Sequence, residues 1–229
     1  MAQQGTVMVV GAPRGLGFAL AEEWLDRGWH VIATVRKPSP DLDRMSRRFP
    51  DRLEIETVDI AHADQVWALR ERLSGRRLDI AFINAGIARA IDSTPSSISE
   101  EDFLDMMLVN ALSPVRTAEI LRDLVPAGGT IAIMTSELGS IAAAQDGWQL
   151  YSASKAALNM LMMKYASRYA SDGHALLLVA PGWVRTEMGG SDAALSLGES
   201  IPLVVDAVEK NRNKPGLRYI DRFNRTLAW

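Results

Sequence analysis

A chain of 229 residues, 48% hydrophobic and 23% charged, can bury one sizeable core and has the composition of a packed globule. Its formal net charge of -3, with Lys and Arg scattered, argues against a nucleic-acid groove or a polybasic membrane patch. The lack of cysteine excludes disulfides, thiolate metal sites and a cysteine nucleophile, and His30, His62 and His174 lie too far apart for a metal-ligand set. The N-terminal stretch does not resemble a signal peptide, and no apolar run is long enough to span a membrane, so a soluble cytoplasmic protein is expected.

Along the chain, strand spacing and helix spacing alternate. Residues 6–10 form a short β-branched run that ends at Gly11. Leu16, Ala19, Leu20, Trp24 and Leu25 then recur at helical spacing until Gly28, and residues 30–35 read as a second strand. A short helix is predicted at 41–48, a strand at 53–58, a helix at 63–73, and at 78–83 a continuous apolar strand of the kind buried on both faces. A long helical stretch at 99–124 has Pro114 as its expected break or kink, and Gly128-Gly129 separates it from a strand at 130–135. The helix with Tyr151 and Lys155 runs to about residue 170, where Asp172-Gly173 stops it before a sixth strand at 174–179. Beyond Pro181-Gly182, small residues around 189–198 predict a mobile segment within a loop near 187–200. A helix at 202–210 and an edge strand at 217–220 follow. With a helix between consecutive strands and no repeat or linker, residues 1–229 are expected to form one α/β domain. Its sheet should be parallel and doubly wound, with about seven strands and helices on both faces.

The loop from Gly11 to Gly17 sits between the first strand and the first helix. Glycines there allow a tight turn and close backbone approach, and the exposed amides at the helix start suit a diphosphate. Its spacing is G-x-x-x-G-x-G rather than G-x-G-x-x-G, so a structural turn is the competing reading. The second strand ends Ala33-Thr34-Val35-Arg36-Lys37, without the carboxylate that would bind a ribose 2′-hydroxyl. Together with Arg14 this leaves two guanidinium groups and no competing acid, which points to NADP(H) over NAD(H), unless both arginines are merely exposed.

Tyr151 and Lys155 fall on one helical face, about one turn apart. An ammonium so placed should draw the phenol below its ordinary value near ~10, toward proton exchange with a substrate oxygen. The plainer alternative is a half-buried tyrosine and a solvated lysine at a helix start. The S-x-x-K at 152–155 lacks the partner motifs of penicillin-binding enzymes, and no G-x-S-x-G elbow is present, so a serine hydrolase is not expected.

In this order and placement, the motifs resemble those of the short-chain dehydrogenase/reductase family, nearly end to end. The glycine loop matches Gly11 to Gly17, and the adenine-contacting acid after the third strand matches Asp59, followed by Ile60. The N-A-G motif is Asn84-Ala85-Gly86, the helical asparagine is Asn110, and the serine is Ser136, within S-x-x-G. Tyr151 and Lys155 form the Y-x-x-x-K pair, and Pro181-Gly182-Trp183-Val184-Arg185-Thr186 is P-G-x-V-x-T. Within the family the chain is most similar to small carbonyl reductases of the sniffer and C-factor type, on the segment PGWVRTEMGG and on Trp229. It departs at Val10, where threonine is usual, at Pro13, which replaces a polar loop residue, and in a slightly long interval between Ser136 and Tyr151.

The resemblance implies a Rossmann-type sheet and an NADP(H)-dependent oxidoreductase that interconverts a carbonyl and a secondary alcohol. Ser136 would steady the substrate oxygen, Tyr151 would act as general acid or base, and Lys155 would lower the tyrosine and bind the nicotinamide ribose. Asn110 would hold a water leading to Lys155, and Val184 and Thr186 would contact the carboxamide. Leu16, Arg14 and Arg36 join the cofactor set. The pocket is expected to involve Ile87, Leu138, Trp148, Trp183 and Met188, an apolar group suited to a hydrophobic or aromatic carbonyl compound. No metal and no nucleic-acid or membrane partner is expected, and a homodimer or homotetramer would pair through the helices at 99–124 and 150–170. The rival expectations are a cofactor-binding signalling protein of the C-factor type with little turnover, and a dehydratase or epimerase on the same fold.

Overall fold

The structure, a computed structural model, describes residues 5–229. The apolar runs form β1 (Thr6–Val10), β2 (His30–Val35), β3 (Leu53–Thr57), β4 (Ile80–Ile83), β5 (Thr130–Met134), β6 (Ala175–Ala180) and β7 (Gly216–Asp221). They lie in one sheet in the order β3-β2-β1-β4-β5-β6-β7, and every neighbouring pair is parallel. All residues of β4, β5 and β6 are buried, the pattern of strands covered on both faces. The expected edge strand is there, and it too runs parallel.

Alternation along β1 sends Val7 and Val9 into one core and Met8 and Val10 into the other. The first core is closed by α1 (Gly15–Asp26), α2 (Pro40–Arg48) and α7 (Leu197–Lys210), through Leu20, Trp24, Leu42 and Val204. The second is closed by α3 (Ala63–Arg72), α5 (Ser113–Leu121) and α6 (Gln149–Arg168), through Val66, Ala118, Leu158 and Met162. No helix among the described residues is long and apolar enough to cross a membrane.

Two helices differ from the sequence expectation. The stretch 99–124 is irregular just before Pro114 rather than at it: α4 (Glu100–Met107) passes into a π-turn at Leu108–Leu112, and α5 follows with Pro114 in its first turn. Proline is tolerated there, but it has no N–H for the carbonyl four residues back, that of Asn110, so an α-type bond to that carbonyl cannot form. The widened turn falls on Asn110 itself. The last helix begins at Leu197 rather than 202, so Gly198 is helical and the loop is shorter than expected. An interior proline costs about 3 kcal/mol. Against that cost, Ser196 and Glu199 form a capping box, and Ile201, Val204, Val205 and Val208 are buried. The Ser200 hydroxyl donates to Pro181 O at 2.8 Å, which ties this helix to the segment leaving β6.

Candidate active site

The strand order reverses between β1 and β4, the place where a parallel sheet opens a crevice at its carboxyl edge. At the end of β1, Gly11 has a φ of 85°, and a Cβ on it would lie 2.9 Å from Ala85 Cα; one on Gly17 would run into Gly11 O. Asn84 Nδ2 donates to Gly11 O at 2.8 Å, and Gly11 N donates to Thr34 Oγ1 at 3.1 Å. The glycine loop and the Asn84-Ala85-Gly86 turn are thereby packed backbone to backbone. The loop is braced from outside as well, because the Ser39 hydroxyl at the start of α2 donates to Pro13 O at 3.0 Å.

The first turn of α1, with Leu16 and Gly17, carries no acidic residue, and no side chain caps its amides. That open positive end, lying against glycine, fits a diphosphate, and the residues present fit a dinucleotide in the crevice. The two arginines are not as free as the sequence implied. Arg36 lies 3.9 Å from Asp59, and Arg14 pairs with Glu187 on the loop after β6. The expectation of no competing acid is corrected here, since both acids are brought in from other elements. Both arginines remain largely exposed, at 65% and 69%, and exposed pairs contribute only about 0–1 kcal/mol, less than a phosphate dianion offers a guanidinium. Ile60 is buried beside Asp59, and its carbonyl and that of Ala61 accept from Arg116 at 2.9 Å each.

Across the crevice, four of the expected residues meet. Asn110 is fully buried; its Oδ1 accepts from Ile87 N at 2.8 Å, and its Nδ2 donates to Ile87 O at 2.8 Å and Ser154 Oγ at 3.0 Å. A Cβ built on Gly86 would lie 3.3 Å from Asn110 Oδ1 and 3.7 Å from Lys155 Nζ. Lys155 is only 2% exposed, and its ammonium donates to Met134 O at 3.0 Å. Tyr151 is partly exposed one helical turn away, with Lys155 Nζ 5.7 Å from its ring centroid. Its ring meets Trp148 edge-on at 5.5 Å; Trp148 starts α6 in a left-handed conformation (φ 51°), a strain of about 1–3 kcal/mol.

Burial pushes the Tyr151 phenol up to about 12, while the Ser136 hydroxyl beside it pulls the other way. The expected lowering by Lys155 is absent: desolvation dominates, and the ammonium is turned to a main-chain carbonyl instead. Lys155 is itself pushed down to about 8 by burial.

Ser136, Tyr151, Leu138, Trp148, Trp183 and Met188 line one pocket of about 350 Å³ beside the glycine loop, and Leu16, Val184 and Thr186 reach it from the cofactor side. Ile87 is not among its lining residues; it serves Asn110 through its main chain. The pocket is bounded by a structured turn: Gly182 has φ 82°, Val184 bridges to Leu195, the Trp183 indole donates to Gly189 O at 2.9 Å, and Gly189 N donates to Thr186 Oγ1 at 3.0 Å. Among the described residues no cluster of His, Asp and Glu could hold a metal ion.

The family model for short chain dehydrogenase matches residues 5–194. The chain belongs to that family. A short-chain dehydrogenase/reductase from Burkholderia multivorans with bound NADP is 48% identical, with a TM-score of 0.96 over 98% of this chain and 99% of that one. A carbonyl reductase from Pseudomonas aeruginosa PAO1 in complex with NADP is 38% identical, with a TM-score of 0.91 over 98% and 99%. C-signal from Myxococcus xanthus is 30% identical over 158 residues, 66% of this chain and 93% of that protein. Like the Burkholderia short-chain dehydrogenase/reductase, the chain is a Rossmann-type doubly wound domain, and it is an oxidoreductase of that family.

Several groups at the site escaped the sequence reading: Ser39, Ser154, Glu187 and the wall residues Met134 and Glu137. Only Ser39 left a signal, as a helix cap before Pro40. The lysine generates a prediction. Because its folded value is depressed from 10.5 to about 8, the unfolded chain holds more protons between those values, and stability rises with pH there. Measured by denaturant unfolding from pH ~7 to ~11, the protein should gain up to about 3 kcal/mol relative to Lys155→Met. A difference that stays flat across that range would show that the ammonium is not desolvated.

Proposed function

We propose that this protein is an NADP(H)-dependent carbonyl reductase that interconverts a carbonyl compound and a secondary alcohol. The observation that carries this is the convergence of Ser136 and Tyr151 on the wall of one apolar pocket, with Lys155 buried behind them. The cofactor would be held by the Gly11–Gly17 loop at its diphosphate, by Asp59 and Ile60 at the adenine, and by Arg14 and Arg36 at the 2′-phosphate. Asn84, Ala85 and Gly86 would floor the crevice, and Pro181, Gly182, Val184 and Thr186 would face the carboxamide, with Tyr151 and Lys155 toward the ribose. When bound, the reduced nicotinamide supplies the hydride that no side chain can.

The protein's own groups would manage charge and protons. Ser136 Oγ accepts from Leu138 N at 3.1 Å and lies beside the Tyr151 hydroxyl, so its own proton would be turned to the substrate oxygen. A phenol held near 12 keeps its proton at neutral pH, so Tyr151 is equipped to donate it as negative charge develops on that oxygen. Asn110, its amide committed to Ile87 and Ser154, has a main-chain carbonyl without an α-helical donor, a place for a water leading to Lys155. Leu138, Trp148, Trp183 and Met188 favour a hydrophobic or aromatic carbonyl compound.

A carbonyl panel with NADPH should therefore show turnover of apolar ketones or aldehydes. Tyr151→Phe should cut kcat by roughly 10²–10⁴-fold while NADPH still binds. The similarity to C-signal favours a second reading, in which cofactor binds without meaningful turnover. Tight NADPH binding with no turnover of any compound on the panel would establish that alternative.

Cofactor choice is separable from chemistry. Arg36→Asp should weaken NADPH about 10–100-fold, the effect of losing a charge-assisted contact of about 1.5–3 kcal/mol, and should leave NADH little changed. Equal loss for both cofactors would remove Arg36 from the 2′-phosphate.

We further propose that two or four copies associate through the exposed apolar face of α4 and α6, where Phe103, Leu104, Met160 and Met163 are each at least 41% exposed. Sedimentation at micromolar concentration should show a dimer or tetramer that Leu104→Glu with Met160→Glu dissociates. A native monomer throughout would reject this surface.

A further inference from the structure

The chain beyond β7 doubles back, and a single buried acid organises the reversal. Asp221, 1% exposed, accepts from Phe223 N at 2.9 Å and Arg225 N at 2.8 Å through Oδ1, and from Arg225 Nε at 2.6 Å through Oδ2. Ile220 then bridges Thr226 in antiparallel fashion, and Leu227 N donates to Tyr219 O at 2.9 Å. The returning segment lays the Trp229 ring on the Tyr219 ring, with centroids 5.3 Å apart. The main-chain oxygen of Trp229 accepts from Ala142 N at 2.9 Å.

Tyr219 is 1% exposed, and its hydroxyl donates to the main-chain carbonyl of Ser136 at 2.6 Å. That carbonyl also accepts from Gly139 N at 3.0 Å within the turn that follows, so Tyr219 is its second donor and ties the turn to β7. The β5–β6 register ends at Met134 with Val179, and the last main-chain bond beyond it runs from Thr135 N to Val179 O. Ser136 is therefore the first residue off the sheet, where β5 turns into the pocket wall of Ser136, Glu137 and Leu138. Tyr219 reaches it from β7, across β6. The following turn is held from behind by Asn159, which accepts from Thr135 Oγ1 at 2.9 Å and donates to Gly139 O at 3.2 Å. Burial pushes the Tyr219 phenol up to about 12, so it stays a donor throughout the neutral range.

We infer that Tyr219 is a positioning residue for the proposed reaction: clamped by Trp229, its hydroxyl fixes the main chain of Ser136 and so aims the Ser136 hydroxyl at the substrate oxygen. This rests on the carbonyl-reductase reading for its catalytic consequence, but not for its structural one. Tyr219 touches neither substrate nor the pocket, so its effect must pass through Ser136.

The experiment is a double-mutant cycle on the full chain with NADPH and a carbonyl substrate it reduces. Tyr219→Phe keeps the ring and removes one hydroxyl. It should lower kcat about tenfold, the scale of one lost buried hydrogen bond, with KM for NADPH within about twofold of native. Placed in a Ser136→Ala background, the same change should cost nothing further, because the hydroxyl it aims is already gone. Trp229→Ala should copy the defect and Trp229→Phe should restore it. Hydrogen exchange at the amides of Leu138, Gly139, Ser140 and Ala142 should quicken in Tyr219→Phe. Native kcat in Tyr219→Phe, or losses that multiply with Ser136→Ala, would overturn the inference. If the native protein reduces no carbonyl compound, the functional reading fails, and unchanged exchange over residues 138–142 would then overturn the positioning role independently.

Discussion

The ammonium of Lys155, buried against the carbonyl of Met134, is the contact on which the crevice depends. Taking a charge out of water costs several kcal/mol even after the protein relaxes, and one neutral carbonyl returns only part of that. The group answers by giving up its proton more readily. Such an arrangement persists only where neighbours leave the side chain no other place. Here Gly139, whose Cβ would lie 3.0 Å from Lys155 Cβ, crowds it from the turn after β5.

The same principle runs through the rest of the site. Trp148 is held left-handed at the start of α6, the helix around Asn110 is widened by one residue, and the glycine loop lies against Ala85. Each local conformation is less favourable than the regular alternative, and the last two are held by a buried hydrogen bond or a close backbone contact from another element. Asn110 binds Ile87 and Ser154, Asn84 binds Gly11, and Ser200 binds Pro181. The sheet supplies a rigid floor, and these side-chain-to-backbone bonds transfer its rigidity to the loops above the carboxyl edge.

At the crevice mouth the design is looser. Arg14 with Glu187 and Arg36 with Asp59 are exposed pairs, weak in water and readily exchanged for a better anion. The first joins the glycine loop to the turn after β6. Tight bonding at the chemical end and loose bonding at the mouth suit a site that admits one large ligand and one small one.

Alternation of strands and helices, the parallel sense of the sheet and the places of Asn110, Ser136, Tyr151 and Lys155 were all determined by the sequence. The alternation and the sense of the sheet rest on local periodicity, which sequence carries directly, and the placing of the four residues rests on the order of motifs that the chain shares with its family. The last helix was expected to begin at Pro202 and the irregularity in 99–124 to fall at Pro114; the capping box at Ser196 and burial of Ile201 and Val204 start α7 at Leu197, and the Asn110 carbonyl that Pro114 leaves without a donor moves the irregularity to Leu108–Leu112. Only the tertiary structure decided that the phenol of Tyr151 rises rather than falls, that Asp59 and Glu187 face the two arginines, that Ile87 serves through its main chain, and that Tyr219 reaches Ser136. Desolvation and pairing across the sheet are sums over neighbours distant in the chain, and no window of sequence contains them.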